Sequence, residues 1–94
     1  GIVGHFVFEE LDKDRKEFKG LSLESIISKV VTNDLYVKKF KIYLSAAGLE
    51  INLNRSKTIV NRYIAAEFAR QLLGESLYYQ IVLNEDKMLK AILK

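Results

Sequence analysis

The sequence predicts an all-α fold, a compact bundle of five to six short helices. Three observations point there. Apolar residues recur at helical spacing in five separate stretches. Three of the five glycines follow directly on such stretches, where a helix stop is wanted. Pro is absent, and no Gly/Ser-rich linker, low-complexity tract or internal repeat breaks the 94 residues, so one domain is expected.

In Ile2 to Lys19, Val3, Phe6, Val7 and Leu11 recur at helical spacing, Phe18 lies two turns further on, and Gly20 supplies the stop. Glu9–Lys13 and Asp12–Lys16 are the i,i+4 ion pairs expected on its surface. Ser22 is placed to cap a second helix with Glu24 in its first turn, and Ile26, Ile27, Val30 and Val31 give it a wide apolar stripe. A third helix follows with Thr32 or Asn33 as its cap and Tyr36, Phe40, Tyr43, Leu44 and Ala47 on one face. Gly48 and Leu49 fit a Schellman-type end. After an extended piece around Ile51 and Leu53, a long helix starts near Asn54 to Ser56. Val60, Ile64, Phe68 and Leu72 line one of its faces, Ala65, Ala66 and Ala69 permit close approach of a neighbour, and Gly74 ends it. This helix is expected to be the hub, with Phe68 in the core and Gln71 toward solvent. Its successor, "ESLYYQIVL", suits a short helix capped by Ser76, with Tyr78 or Tyr79 folding back. A last helix opens at Asn84 with Glu85 and Asp86 in its first turn.

Hydrophobic residues make up 49% and charged residues 29% of the chain, enough for one modest core and against intrinsic disorder. Without cysteine there is no disulfide, thiolate metal site or cysteine nucleophile. No apolar run reaches the roughly 18–20 residues of a membrane span, so no membrane-spanning helix is expected. The chain opens Gly1-Ile2, which reads as a piece of a longer protein.

The residues that could carry chemistry do not assemble into a motif. His5 is the single histidine, and a catalytic histidine needs a nucleophile and an orienting group. Asp12-Lys-Asp14 opens like a calcium loop, but Lys16 and Glu17 stand where the pattern needs Asp or Asn and then Gly. Glu9, Glu10, Asp12 and Asp14 lie in one charged helical run and read as a solvated face rather than a glycosidase pair. No residue is put forward as catalytic, cofactor-binding or metal-binding, and no cofactor is expected. Lys38, Lys39 and Lys41 alternate with Tyr36, Phe40 and Tyr43, and Arg55, Lys57 and Arg62 lie early in the long helix. The aromatics fall at core spacing rather than as a stacking platform, so no specific nucleic-acid partner is expected.

The stretch "IVNRYIAAEFARQLLGESLYYQIVLNEDKMLKAIL" resembles the C-terminal end of carboxyl-terminal-processing (tail-specific) serine peptidases of the S41 family, especially the longer kind from Bacteroidetes-like bacteria. The matching positions are Ile64-Ala65, Leu72-Leu73-Gly74, the pair Tyr78-Tyr79, and Asp86 with Ala91-Ile92. Lys87 stands where that family commonly has Pro. "HFVFEEL" and "VTNDLYVKKFKIYLSAAGLEIN" resemble its preceding helices more loosely. The resemblance implies a non-catalytic helical domain whose parent cuts polypeptides near their C-termini with a serine nucleophile and a lysine base, both preceding Gly1. It implies the protease core of its own chain or a second copy as partner, polypeptide substrates reached through the parent, and a cell-envelope or periplasmic location in a Gram-negative bacterium. A free-standing helical adaptor or dimerisation module is the alternative, and a small DNA-binding helical domain a more distant one.

Overall fold

The computed structural model describes residues 1–50, 52 and 56–82. They form an all-α bundle of four α-helices, α1 (Ile2–Phe18), α2 (Leu23–Val31), α3 (Leu35–Ala46) and α4 (Lys57–Leu73). A single 3-10 turn, Thr32–Asp34, joins α2 to α3, and residues 75–82 are helical again. The extended piece around Ile51 and Leu53, the Asn54 and Arg55 positions and the helix expected from Asn84 onward lie outside the described residues. The Cα radius of gyration is 13.3 Å, near the roughly 12–13 Å of a compact domain of this length. No helix among the described residues is long and apolar enough to cross a membrane.

Local chemistry accounts for most of the helix ends. The Ser22 hydroxyl accepts from the Ser25 amide at 3.2 Å, occupying one of the donors left open at the start of α2. At the end of α3 the Leu49 amide donates to the Leu44 carbonyl at 2.8 Å and the Gly48 amide to Ser45 at 3.0 Å. That is the double closure of a Schellman end, and it requires the positive φ of +82° at Gly48.

Two caps differ from expectation. Neither Thr32 nor Asn33 caps α3. The Thr32 hydroxyl donates back to the Ser28 carbonyl and closes α2, while Asn33 (φ 58°) and Asp34 (φ 54°) take left-handed conformations that turn the chain before α3 begins. Ser76 is no cap either. Helix resumes at residue 75, directly after Gly74, and the Leu77 amide donates to the Gly74 carbonyl at 3.2 Å. The surface pairs differ as well: Glu9 faces His5 at 3.5 Å and Lys13 faces Glu10 at 3.8 Å.

α4 is the hub and packs against α1, α2 and α3. Ile64, Ala65, Ala66, Phe68 and Ala69 are fully buried, and Val60 and Leu72 pack at the margin. The main core joins them to Phe6, Val7, Leu11, Phe18, Ile26, Val30, Tyr36, Val37, Phe40 and Leu44. On α3, Tyr43 is only half-buried and Ala47 is exposed, because the chain is already turning at Gly48. Val37 takes the place on the buried face that Ala47 was expected to share. A second cluster forms where residues 75–82 fold back: Ile81 is buried against Ala66 and Ala69, with Leu77 and Tyr78 packed beside it, while Tyr79 remains exposed.

Candidate functional site

Three polar clusters and one groove are built by side chains that are distant in sequence. The first cluster bridges α1 and α3. Glu10 sits between Phe6 and Leu11 on the inward face of α1 and is 8% exposed. Lys39 lies 3.6 Å from the Glu10 carboxylate and 3.7 Å from that of Asp14. The Tyr36 hydroxyl donates to Asp14 at 3.0 Å, and the Lys39 ammonium stands 5.2 Å from the centroid of the Tyr36 ring. Burial, reinforced by the hydrogen bond to Asp14 and by that carboxylate's charge, pushes the Tyr36 phenol well above its ordinary pKa. Lys39 thus stands between two carboxylates, and the cluster clamps α1 to α3.

The second cluster fixes the α2–α3 corner to the start of α4. Lys57 meets Asp34 at 2.6 Å and the Asn61 amide donates to Asp34 at 2.9 Å. These bonds, that from Lys57 first, hold the Asp34 carboxyl below its usual range. The third cluster joins α1 to α4. Gln71 donates to the Gly4 carbonyl at 2.9 Å and to Glu67 at 3.3 Å, and Arg70 grips Glu67 at 2.9 and 3.0 Å. A side chain at position 4 would bring its Cβ to 3.2 Å from a Glu67 carboxylate oxygen, and the end of the Glu67 side chain would have to give by a few tenths of an ångström. Gln71 therefore does not face solvent freely, as α4 periodicity suggests, but closes an inter-helix bond.

The groove, about 790 Å³, runs between the second half of α1 and the end of α4. Phe18, Leu21, Leu72 and Leu73 form its apolar floor, and Arg15, Lys16 and Lys19 stand on its rim with Asp12. Its volume lies in the range of ligand-binding clefts.

The residues weighed in the sequence are scattered among these features. His5 is exposed and faces Glu9 and the Tyr43 ring. Asp12 is on the groove rim while Asp14 belongs to the first clamp, and no group of three metal-ligating side chains forms among the described residues. Of the basic run, Lys39 and Lys57 are held by carboxylates, so no continuous basic face builds up from them. Glu10 and Gln71 carry contacts that local pattern did not suggest. The available signal was Glu10 itself, a carboxylate one turn after Phe6 on an apolar face.

Residues 1–74 match the family of unknown function DUF8443. The chain belongs to that family. The match covers all four α-helices and ends at Gly74, the residue that closes α4. No curated protein and no solved structure matches the chain.

Proposed function

We propose that this DUF8443 chain is the non-catalytic C-terminal helical domain of a carboxyl-terminal-processing serine peptidase, packing on the protease core or holding copies of the enzyme together. One observation carries the reading. The stretch that resembles the S41-family tail, from Ile59 onward, supplies both the hub helix and the reversal at Gly74 that returns Tyr78 to the bundle. A domain whose tail is also its central packing element is suited to covering and orienting a neighbour. The polar clusters agree with that role, since each ties helix to helix.

The lysines of this segment have no part in the parent's chemistry in this reading. The serine nucleophile and its lysine base belong to residues before Gly1, and the cell envelope or periplasm of a Gram-negative bacterium is the location that goes with them. The test is the full open reading frame around this sequence. A PDZ domain and a protease core with a Ser–Lys pair upstream are the expected result, and a frame without them would overturn the parentage.

A further inference from the structure

The outward arc of α1 has an ordered pattern. His5, Phe8, Asp12, Arg15 and Lys19 follow one another at alternating spacings of three and four residues, with Glu9 and Lys16 beside them, and all seven are exposed. Residues so spaced share one face of a helix and would form the seam if a second helix packed there. Its chemistry is divided along the helix. The first half offers a large apolar ring, Phe8 at 54% exposure, and carboxylates at Glu9 and Asp12. The second half offers Arg15, Lys16 and Lys19, none with an ion pair among the described residues, on the rim of the Phe18–Leu21–Leu72–Leu73 groove.

The two halves complement each other only when a second helix runs antiparallel. We infer that two copies of this chain pair through antiparallel α1 helices, Phe8 of each copy entering the groove of the other. In an antiparallel pair the seam positions meet in alternation. The register that sets Asp12 of one copy opposite Arg15 of the other also sets Phe8 beside Lys19 at the mouth of the groove. The flanking positions then bring Glu9 against Lys16. The two-fold axis repeats each contact, so one register gives four opposite-charge pairs and two buried rings. A parallel, in-register pairing would set Asp12 against Asp12, Arg15 against Arg15 and Lys19 against Lys19, which is unfavourable. Glu9 also has His5 one turn away at 3.5 Å within its own helix. α1 has 17 residues, about 25 Å of helix, so the interface is of the small, transient class and sensitive to salt. The inference develops the self-association half of the proposed function, but it rests on the outer face of α1 and the groove beside it. Its failure and that of the peptidase parentage are separate results, one read from solution behaviour and the other from the reading frame.

Sedimentation equilibrium of the 94-residue chain from about 10 μM to about 1 mM, a window for weak association, should show a monomer–dimer equilibrium that weakens with added salt. Phe8→Asp should abolish it. Asp12→Arg and Arg15→Asp should each weaken it by about tenfold or more, as expected when like charges are opposed. The double variant should return to within about threefold of the parent, because both pairs are restored with reversed sign. Circular dichroism confirms that each variant keeps its helices, and Lys41→Asp, on an exposed position away from the seam, serves as the charge-matched control. A chain that stays monomeric throughout, a dimer indifferent to Phe8→Asp, or single variants that the double does not rescue would each overturn the pairing.

Discussion

One side of α4 meets its neighbours through rings and the other through methyl groups. On the first, Phe68 stacks on Phe18 at 4.9 Å between centroids and meets Tyr36 edge-on at 4.8 Å, while Phe6, Phe40 and Tyr43 extend the cluster between α1 and α3. On the second, Ala66 and Ala69 admit Ile81 and the side chains of Leu23 and Ile27 directly onto the helix. α2 packs more extensively on α4 than any other helix does, whereas α1 and α3 meet through aromatic side chains and are joined at the edge by the Glu10–Lys39–Asp14 clamp. Ring packing concentrates stability in a few large side chains. Alanine packing spreads it thinly and makes it sensitive to added volume.

The largest expected effect tests the ring side. Phe68→Ala should cost about 3–5 kcal/mol, the range for emptying a buried aromatic site. Against a typical total of about 5–15 kcal/mol, a denaturant titration should show a midpoint far below that of the parent. A loss under about 1 kcal/mol would mean that Phe18 and Tyr36 close the gap by themselves.

The alanine side should fail in the opposite direction. Ala66→Leu, at a fully buried position, should destabilise by about 1–3 kcal/mol through overpacking. A neutral result would show that residues 75–82 swing aside without loss, and proteolysis in that stretch would then rise in step.

A smaller effect is expected at Gln71. Removing its bond to the Gly4 carbonyl should cost about 1 kcal/mol, a typical net value for one intramolecular hydrogen bond. Gln80→Ala, at an exposed position, should stay within about 0.5 kcal/mol. Equal results for the two glutamines would demote the Gln71–Gly4 bond to a surface contact.

The gentlest test is pH. Tyr36 has its pKa raised on folding, so its contribution is complete below the unfolded value of about 10 and is lost as pH rises toward the folded value. Tyr36→Phe should flatten that alkaline decline. Asp34 has its pKa lowered, so its contribution is present above the unfolded value of about 3.9 and is lost as pH falls below it. Asp34→Asn should flatten the acid limb of the stability curve.

The fold was legible where its causes are local. Apolar spacing places α1 to α4, Ser22 announces the start of α2, and Gly48 with Leu49 announces the end of α3, because each acts within about one helical turn. The polar cross-links were not legible, since their partners meet only in three dimensions. Gln71 reads as a solvent-facing position of α4 until Gly4 is packed against it. Lys39 reads as one of a surface trio until Glu10 and Asp14 are opposite. The cap of α3 was expected at Thr32 or Asn33, but the short polar side chains of Asn33 and Asp34 also tolerate the left-handed backbone that they adopt instead. The groove joins the end of α1 to the end of α4, and no pattern within either helix describes it.

The corner at Asn33 and Asp34 also depends on a distant part of the chain. Two successive left-handed residues are unfavourable by about 1–2 kcal/mol each for an ordinary side chain, less for Asn and Asp. Next to them in sequence only the Leu35 amide bonds back across the corner, to the Thr32 carbonyl, and Asp34 has no capping bond of its own. Its compensating partners arrive with α4, and Asn61 lies 27 residues further along the chain. Closing that loop carries an entropic cost that must be met before the bonds to Lys57 and Asn61 can form. The angle between α2 and α3 is thus tied to the start of α4, and Asn61→Ala should loosen a joint between two helices that are immediate neighbours in the chain.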